Sequence, residues 1–227
     1  MPRTLLALGA HYDDCIFGIP GIMIKAARNG YRVVIPTMIG DYSNFAPARG
    51  RSPELVKGTI EIAHDSGAEV RFLGFKSHHF AVTTDHARAV AAVVADVRPD
   101  LAFILWPHDR HGDHGPASRL SETALRHAGA LLDDPSLRPP QRIYAYDNGP
   151  RHTIGFEPDT YVDVTPEWPA AMEWLGRTMA LAHGRPYDPT MPDVGAKQAI
   201  AAYRGSACAV RYAEALRALG AYPQELV

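Results

Sequence analysis

The sequence predicts an α/β protein: a Rossmann-like three-layer sandwich with a mostly parallel sheet and helices on both faces. Three observations predict it. Short apolar runs alternate with stretches of helical periodicity from Thr4 to Leu132. Two of those runs, including the first, end abruptly in polar loops. Glycine, asparagine or proline punctuates the junctions. A chain of 227 residues, 46% hydrophobic and 21% charged, fits one compact domain spanning 1–227.

Thr4 to Gly9 reads as a buried parallel strand feeding a polar loop. Apolar positions then recur at helical spacing from Ile16 to Ala27, with Asp13 or Asp14 as N-cap and Asn29-Gly30 as the stop. Tyr31 to Met38 is a second β-branched run closing in Gly40-Asp41, and Pro53 to Gly67 a helix ending at glycine. Glu69 to Gly74 reads as a strand, Asp85 to Val97 as a helix, and Leu101 to Trp106 as a strand set off by Arg98-Pro99-Asp100. His114 to Leu132 looks helical. Arg142 to Tyr146 and Tyr161 to Val164 are late strands, expected to be antiparallel or at an edge. Ala170 to Ala182 and Ala196 to Leu219 read as closing helices around a Gly- and Pro-rich loop from Gly184 to Gly195, a candidate lid or a contact in a homo-oligomer.

A net charge of -2 without a run of Lys or Arg offers no footprint for nucleic acid or an anionic membrane. The apolar stretch Leu5 to Ala10 is too short to span a bilayer, and His11-Tyr12-Asp13-Asp14 follows where a signal peptide needs a cleavage site. Cys15 and Cys208 make no disulfide framework or zinc-finger spacing. These features predict a cytoplasmic protein. Eleven histidines are many for this length, and three of them crowd into His108–His114.

Ligands of open α/β sheets bind beyond the carboxyl ends of the strands, so the loops after the first strand and after Leu101–Trp106 are the places to look. They read Ala10-His11-Tyr12-Asp13-Asp14-Cys15 and Pro107-His108-Asp109-Arg110-His111-Gly112-Asp113-His114. Together they offer imidazole and carboxylate ligands. A catalytic zinc site needs three such ligands and one open position, and a further carboxylate can take a proton from water there. Asp13 and Asp14 are neighbours on a tight turn, so one can face a metal and the other the water.

AHYDDC followed by HGDHG resembles the paired signatures of the PIG-L/LmbE family of zinc-dependent N-deacetylases, usually AHPDDE and HPDH. The resemblance implies that His11, Asp14 and His114 are metal ligands and that Asp13 is the general base. It implies that His111 stabilises the tetrahedral intermediate or passes a proton, with Asp113 orienting it. Arg51-Ser52-Pro53-Glu54, Gly40-Asp41 and Tyr212-Ala213-Glu214 resemble family features as well, the last a C-terminal helix. Asp41, Arg51 and Tyr12 are the candidate substrate contacts. Tyr12 replaces a usual Pro, Cys15 a usual Glu and Gly112 a frequent Pro, while Gly205-Ser206-Ala207 stands where a Ser-Gln pair is frequent. All the proposed ligands survive these changes. The implied substrate is a small N-acylated, typically N-acetylated, amino sugar or conjugate, of the kind met in secondary-metabolite or thiol-cofactor pathways. Zn²⁺ is the implied cofactor, and two His and one Asp also suit iron, cobalt, nickel or manganese.

Plainer readings exist for each feature. A pair of Asp at a strand-to-helix turn is often only an N-cap. Arg51 and Glu54 are also an ordinary i,i+3 pair, and Asp41 can merely shape a turn. His78, His79, His86, His127, His152 and His183 read as solvated, and His108 and Asp109 as ordinary loop polarity. Two rival functions stand beside deacetylation. One is an amidase for a larger N-acyl or thiol conjugate. The other is a non-catalytic Rossmann-like ligand-binding domain, disfavoured because Asp13 and Asp14 sit where a pyrophosphate must go and GxGxxG is absent.

Overall fold

The computed structural model describes residues 2–223; the ends of the expected 1–227 domain lie outside the described residues. In chain order the elements are β1 (Thr4–Ala7), α1 (Asp14–Gly18), α2 (Pro20–Arg28), β2 (Arg32–Asp41), α3 (Ser52–Asp65), β3 (Ala68–Lys76) and α4 (Thr84–Val97). There follow β4 (Leu101–Leu105), α5 (His114–Leu131), β5 (Arg142–Tyr146), β6 (Thr160–Asp163), α6 (Trp168–His183), α7 (Pro192–Ser206) and β7 (Ala213–Ala218). They build one seven-stranded sheet in the order β3-β2-β1-β4-β5-β7-β6. The pairs from β3 through β5 are parallel, and β7 is antiparallel to both β5 and β6.

The chain moves outward from β1 to β3, then returns to pair β4 with the other side of β1. Right-handed crossovers therefore put α4 and α5 on the face opposite α2 and α3. The packing agrees: α4 lies on α5, while α2 and α3 both lie on α6. The reversal of strand order between β1 and β4 opens a crevice at their carboxyl ends, and both polar loops empty into it. Burial on both sides explains why β1 and β4 read as continuous apolar runs: Leu5, Leu6, Ala7, Ala102, Phe103 and Ile104 are all buried.

Two expectations are corrected. The helix expected from Ile16 to Ala27 is two helices, because Pro20 has no N–H to continue α1 and Ile19 takes a non-helical conformation (φ -139°, ψ 40°). The helix expected from Ala196 to Leu219 stops at Ser206, and residues 213–218 form β7 instead. The run Ala213-Glu214-Ala215-Leu216-Arg217-Ala218 is rich in helix formers. It is extended because it supplies the missing partner for both β5 and β6. Glu214, placed by this strand, is buried and accepts the N–H groups of Gly21 (3.0 Å) and Ile22 (2.8 Å), two otherwise unpartnered donors at the start of α2. Lys197 of α7 lies 3.3 Å from Glu214 and donates to the Gly18 carbonyl at 2.7 Å. These two Lys197 contacts tie α7 to the α1–α2 corner.

That corner is tightly filled. The Tyr146 ring is fully buried, and its hydroxyl donates to the Leu8 carbonyl at 2.9 Å and lies 3.2 Å from Cys15 Sγ. A β-carbon at Gly18 would sit 2.3 Å from Tyr146 Cδ2. Gly18→Ala is therefore expected to destabilise the fold by about 1–3 kcal/mol, as overpacking does. At about 2–4 °C per kcal/mol for a chain of this size, a melting experiment checks it; an unchanged midpoint would show that Tyr146 yields freely.

Candidate metal and catalytic site

The loop after β1 turns at once into α1, so His11, Asp13 and Asp14 leave a rigid strand end within one helical turn. The loop after β4 turns into α5 in the same way and brings His111, Asp113 and His114 alongside. His114 Nε2 lies 3.2 Å from His11 Nδ1 and 3.2 Å from Asp14 Oδ1, and His11 Nδ1 lies 3.5 Å from Asp14 Oδ2. Tetrahedral zinc with bonds of about 2.0–2.1 Å sets its ligand atoms about 3.3 Å apart, so these three groups fit such an ion. A His111 nitrogen also lies within 4.8 Å of those of His11 and His114, which makes it a further candidate ligand.

Each of these groups is held from behind. Asp14 is buried; its Oδ2 accepts the N–H groups of Ala10 and His11 (2.7 Å each), and its Oδ1 accepts Asn148 Nδ2 at 2.8 Å. Asp113 Oδ2 meets His11 Nε2 at 3.2 Å and accepts the Ser77 hydroxyl at 2.7 Å, while Oδ1 accepts the His78 N–H at 2.8 Å. Its distance to His111 Nδ1 is longer, 3.9 Å, so Asp113 sits closer to His11 than to the imidazole the resemblance pairs it with. Asp109 Oδ2 lies 3.0 Å from His114 Nδ1, although the ring N–H does not point along that line. Asp109 Oδ1 accepts the His111 N–H at 2.8 Å. A carboxylate hydrogen-bonded behind an imidazole, as Asp113 is behind His11, is the arrangement that fixes the tautomer of metal-binding histidines.

The charges follow from this packing. Burial disfavours protonation of His11 and His114, but the Asp14 carboxylate beside both outweighs it, joined by Asp113 and Asp109 respectively; the two are raised to about 9 and about 10. Asp14 is held well below the usual carboxylate range by His114 and His11, which overcome its burial. Asp13 is pushed up to about 6, by burial and by the neighbouring Asp14 charge. His111 is lowered to about 4 by burial and by the charges of His11 and His114, so it is neutral at pH 7. Its Nδ1 accepts the Asp113 N–H at 3.3 Å, which places the ring proton on Nε2.

A cavity of about 600 Å³ opens over this floor, lined by His11, Tyr12, Asp13, Asp14, Asp41, His111 and His114 among others. Asp13 is half-buried and faces it. The Tyr12 N–H donates to the Tyr42 hydroxyl at 2.9 Å, and the two rings meet edge to face at 5.3 Å. Asp41 lies on the exposed rim and accepts the Ser43 N–H. Arg51 is elsewhere: its guanidinium donates to the carbonyls of Leu181, Ala182 and Pro47 at 2.9–3.1 Å, closing the end of α6. Cys15 is buried against Tyr146, and burial pushes its thiol far up. Four residues that read as solvated or went unremarked join the site: Ser77, His78, Asn148 and His152. His78 stacks on His111 at 5.4 Å and His152 lies 5.5 Å from the His114 ring. The signal for Asn148 and His152 was a polar, Gly- and Pro-marked segment after β5, at the same end of the sheet as the two motifs.

No helix among the described residues is long and apolar enough to cross a membrane. The sequence profile described as PIG-L, GlcNAc-PI de-N-acetylase, matches residues 6–125, which contain both motif loops. Solved structures share the fold at low identity. The 4-carboxy-2-hydroxymuconate hydratase of Pseudomonas putida aligns over 99% of each chain with 18% identity and a TM-score of 0.83. A conserved protein of Thermus thermophilus aligns over 98% of this chain and 97% of its own, with 24% identity and a TM-score of 0.81. The N,N'-diacetylchitobiose deacetylase of Pyrococcus horikoshii aligns over 96% of this chain and 84% of its own, with 20% identity and a TM-score of 0.79.

Proposed function

From the premise that the chain belongs to the PIG-L family, GlcNAc-PI de-N-acetylase, we propose that it is a metal-dependent hydrolase removing an N-acyl group, typically acetyl, from an amino sugar or sugar conjugate. One observation carries the reading: two imidazole nitrogens and a carboxylate sit 3.2–3.5 Å apart at the cavity floor, with a second carboxylate, Asp13, free of that cluster and facing the cavity. His11, Asp14 and His114 would hold the ion. A divalent cation there supplies a Lewis acid for the acyl oxygen and lowers the pKa of its water toward neutrality.

The remaining work falls to the chain itself. Asp13 takes a proton from the attacking water as its oxygen bonds to the acyl carbon. His111, neutral with its proton on Nε2, donates a hydrogen bond to the acyl oxygen as negative charge gathers there. When the C–N bond breaks, Asp13 returns its proton to the departing nitrogen, leaving an amine and a carboxylic acid, and the acid's proton passes to the amine or to solvent. Asp113 and Asp109 keep His11 and His114 aimed, and Asn148 fixes Asp14. Tyr12 and Asp41 line the cavity and would meet sugar carbons and hydroxyls.

Release of free amine from N-acetylglucosamine derivatives tests the reading, with metal content measured in parallel. Chelation is expected to abolish turnover and zinc or another divalent transition metal to restore it. Turnover that survives complete removal of metal would overturn it.

A second reading is favoured by one feature. Among the described residues Arg151 is the sole Lys or Arg lining the cavity and is exposed, a fit for a carboxylate. In that case Asp13 would take the proton of a water whose oxygen bonds to one carbon of an unsaturated acid's double bond and would deliver it to the other carbon, and a hydratase shares the fold. Water incorporation into such acids without amine release would select it.

A further inference from the structure

Asn148 reaches Asp14 with only half of its side-chain amide bonded. Nδ2 donates to Asp14 Oδ1 at 2.8 Å, while the buried Asn148 Oδ1 has no hydrogen-bond partner among the described residues. The reversed amide would set two oxygens against each other, so the donor faces Asp14. No polar contact at its own tip fixes this amide further; its aim comes from the backbone that carries it. Asp14 depends on that aim. The Ala10 and His11 amides pin Oδ2, and Asn148 sets the plane of the carboxylate at Oδ1, the oxygen 3.2 Å from His114 Nε2.

The backbone around Asn148 is fastened on two sides. On one, residues 152–154 are joined to the second motif loop: Asp109 bridges Thr153, the Arg110 N–H donates to the His152 carbonyl, and the Ile154 N–H donates to the His108 carbonyl, the last two at 2.9 Å. The Thr153 hydroxyl then accepts the Asn148 N–H at 2.9 Å. On the other side Asp147 does the fastening. Its Oδ1 accepts the Gly149 N–H at 3.3 Å, bracing the turn that holds Asn148, and its Oδ2 accepts a hydrogen bond from Arg204 Nη2 at 3.0 Å.

Arg204 comes from the last turn of α7. Its guanidinium lies 5.6 and 5.5 Å from the ring centres of Phe156 and Tyr203. The Arg204 and Asp147 side chains are 18% and 14% exposed, and Arg204 Nε is buried without a partner among the described residues. Removing either member of so enclosed a pair strands the charge of the other. α7 is itself anchored through Lys197 to the Gly18 carbonyl and Glu214. A fixed helix thus grips the residue next to Asn148.

Resting on the metal site read above, we propose that Arg204 is a positioning residue: through Asp147 it holds the turn that aims Asn148 at Asp14, and so tunes metal affinity from a place outside the cavity lining. The plainer role for such a pair is support of the fold, with no route to Asp14. The two roles differ in how substitutions combine. A merely structural loss adds to the loss of Asn148, whereas a loss that passes through Asn148 vanishes once Asn148 is gone.

Zinc affinity, measured by competition with a chelator, and the visible spectrum of the Co²⁺-loaded protein test the proposal without any turnover. Asn148→Ala is expected to weaken zinc binding about 10–100-fold, as loss of a group that orients a ligand does. Arg204→Met keeps an apolar side chain beside the two rings; it is expected to weaken zinc binding about tenfold and to shift the cobalt bands. The double variant should bind zinc as Asn148→Ala alone does. Wild-type affinity and spectrum in Arg204→Met, or a full second loss in the double variant, overturns the proposal. Should Arg204→Met fail to fold, Asp147→Asn takes its place in the same cycle with the same outcomes. Absence of zinc and cobalt uptake by the wild type defeats the metal reading instead, and amide exchange in the metal-free protein then decides on Arg204. The Ala10 and His11 N–H groups, both bonded to Asp14, are expected to exchange about tenfold faster in Arg204→Met while those of β4 keep their wild-type rates. Unchanged exchange at Ala10 and His11 overturns the proposal.

Discussion

Asp13→Asn is expected to lower kcat for amide hydrolysis by about 10²–10⁴-fold while the protein keeps its metal, because an amide cannot accept the proton of the attacking water. The substitution is nearly isosteric, and Asp13 makes none of the contacts that fix Asp14, so the ligand set stays in place. The pH profile supplies a second readout. Burial and the Asp14 charge raise Asp13 to about 6, so the acid limb of kcat/KM reports its ionisation: activity rises with pH as the carboxylate forms. A bound divalent cation stabilises the ionised form and moves that limb below pH 6. Residual activity in Asp13→Asn should lack the limb. Full activity with the limb unchanged would remove Asp13 from the mechanism.

Asp14→Ala is expected to abolish metal binding and reduce turnover to background, read by elemental analysis beside the amine-release assay. The effect should exceed loss of one ligand, since the same carboxylate organises the Ala10 and His11 amides and Asn148. It also sets how metal binding depends on pH. In the metal-free protein Asp14 helps hold His11 at about 9 and His114 at about 10, so an incoming ion must displace a proton from each. Metal affinity should therefore climb with pH between about 7 and 9, with up to two protons released per ion. The linkage runs the other way for the metal-free fold. Imidazoles raised above 6.5 contribute stability that is fully present below that value and lost as pH rises through 9 and 10. Calorimetry in buffers of different ionisation enthalpy counts the protons, and release of none would mean that the two rings are already neutral.

The central fold was legible because β1, β2 and β4 are buried on both faces and therefore carry unbroken apolar runs, and because the two motif loops begin where those runs stop. The clustering of His11, Asp13, Asp14, His111, Asp113 and His114 follows from β1 pairing directly with β4, which the expected parallel sheet permits and the structure provides. What was not legible depends on long-range pairing. Nothing local in residues 213–218 distinguishes an antiparallel strand from one more helical turn; their state is decided by vacancies beside β5 and β6. Arg51 failed as a cavity residue for the same reason: its partners, the carbonyls of Leu181 and Ala182, are far away in sequence. His78, Asn148 and His152 were obscured by loops whose polarity has the same appearance whether they face water or a site.

Placing β7 between β5 and β6 also has a consequence during synthesis. β5 ends at Tyr146, yet the strand that covers its outer edge begins only at Ala213. At about 5–20 residues per second of translation, the nascent chain carries that uncovered edge for several seconds. The edge is Arg142-Ile143-Tyr144-Ala145-Tyr146, β-prone and with a charge at only one end. Two ribosomes on one message could hold two such edges side by side, and strand exchange between them would compete with completion of the sheet. Slower translation lengthens the time for which that edge stands uncovered.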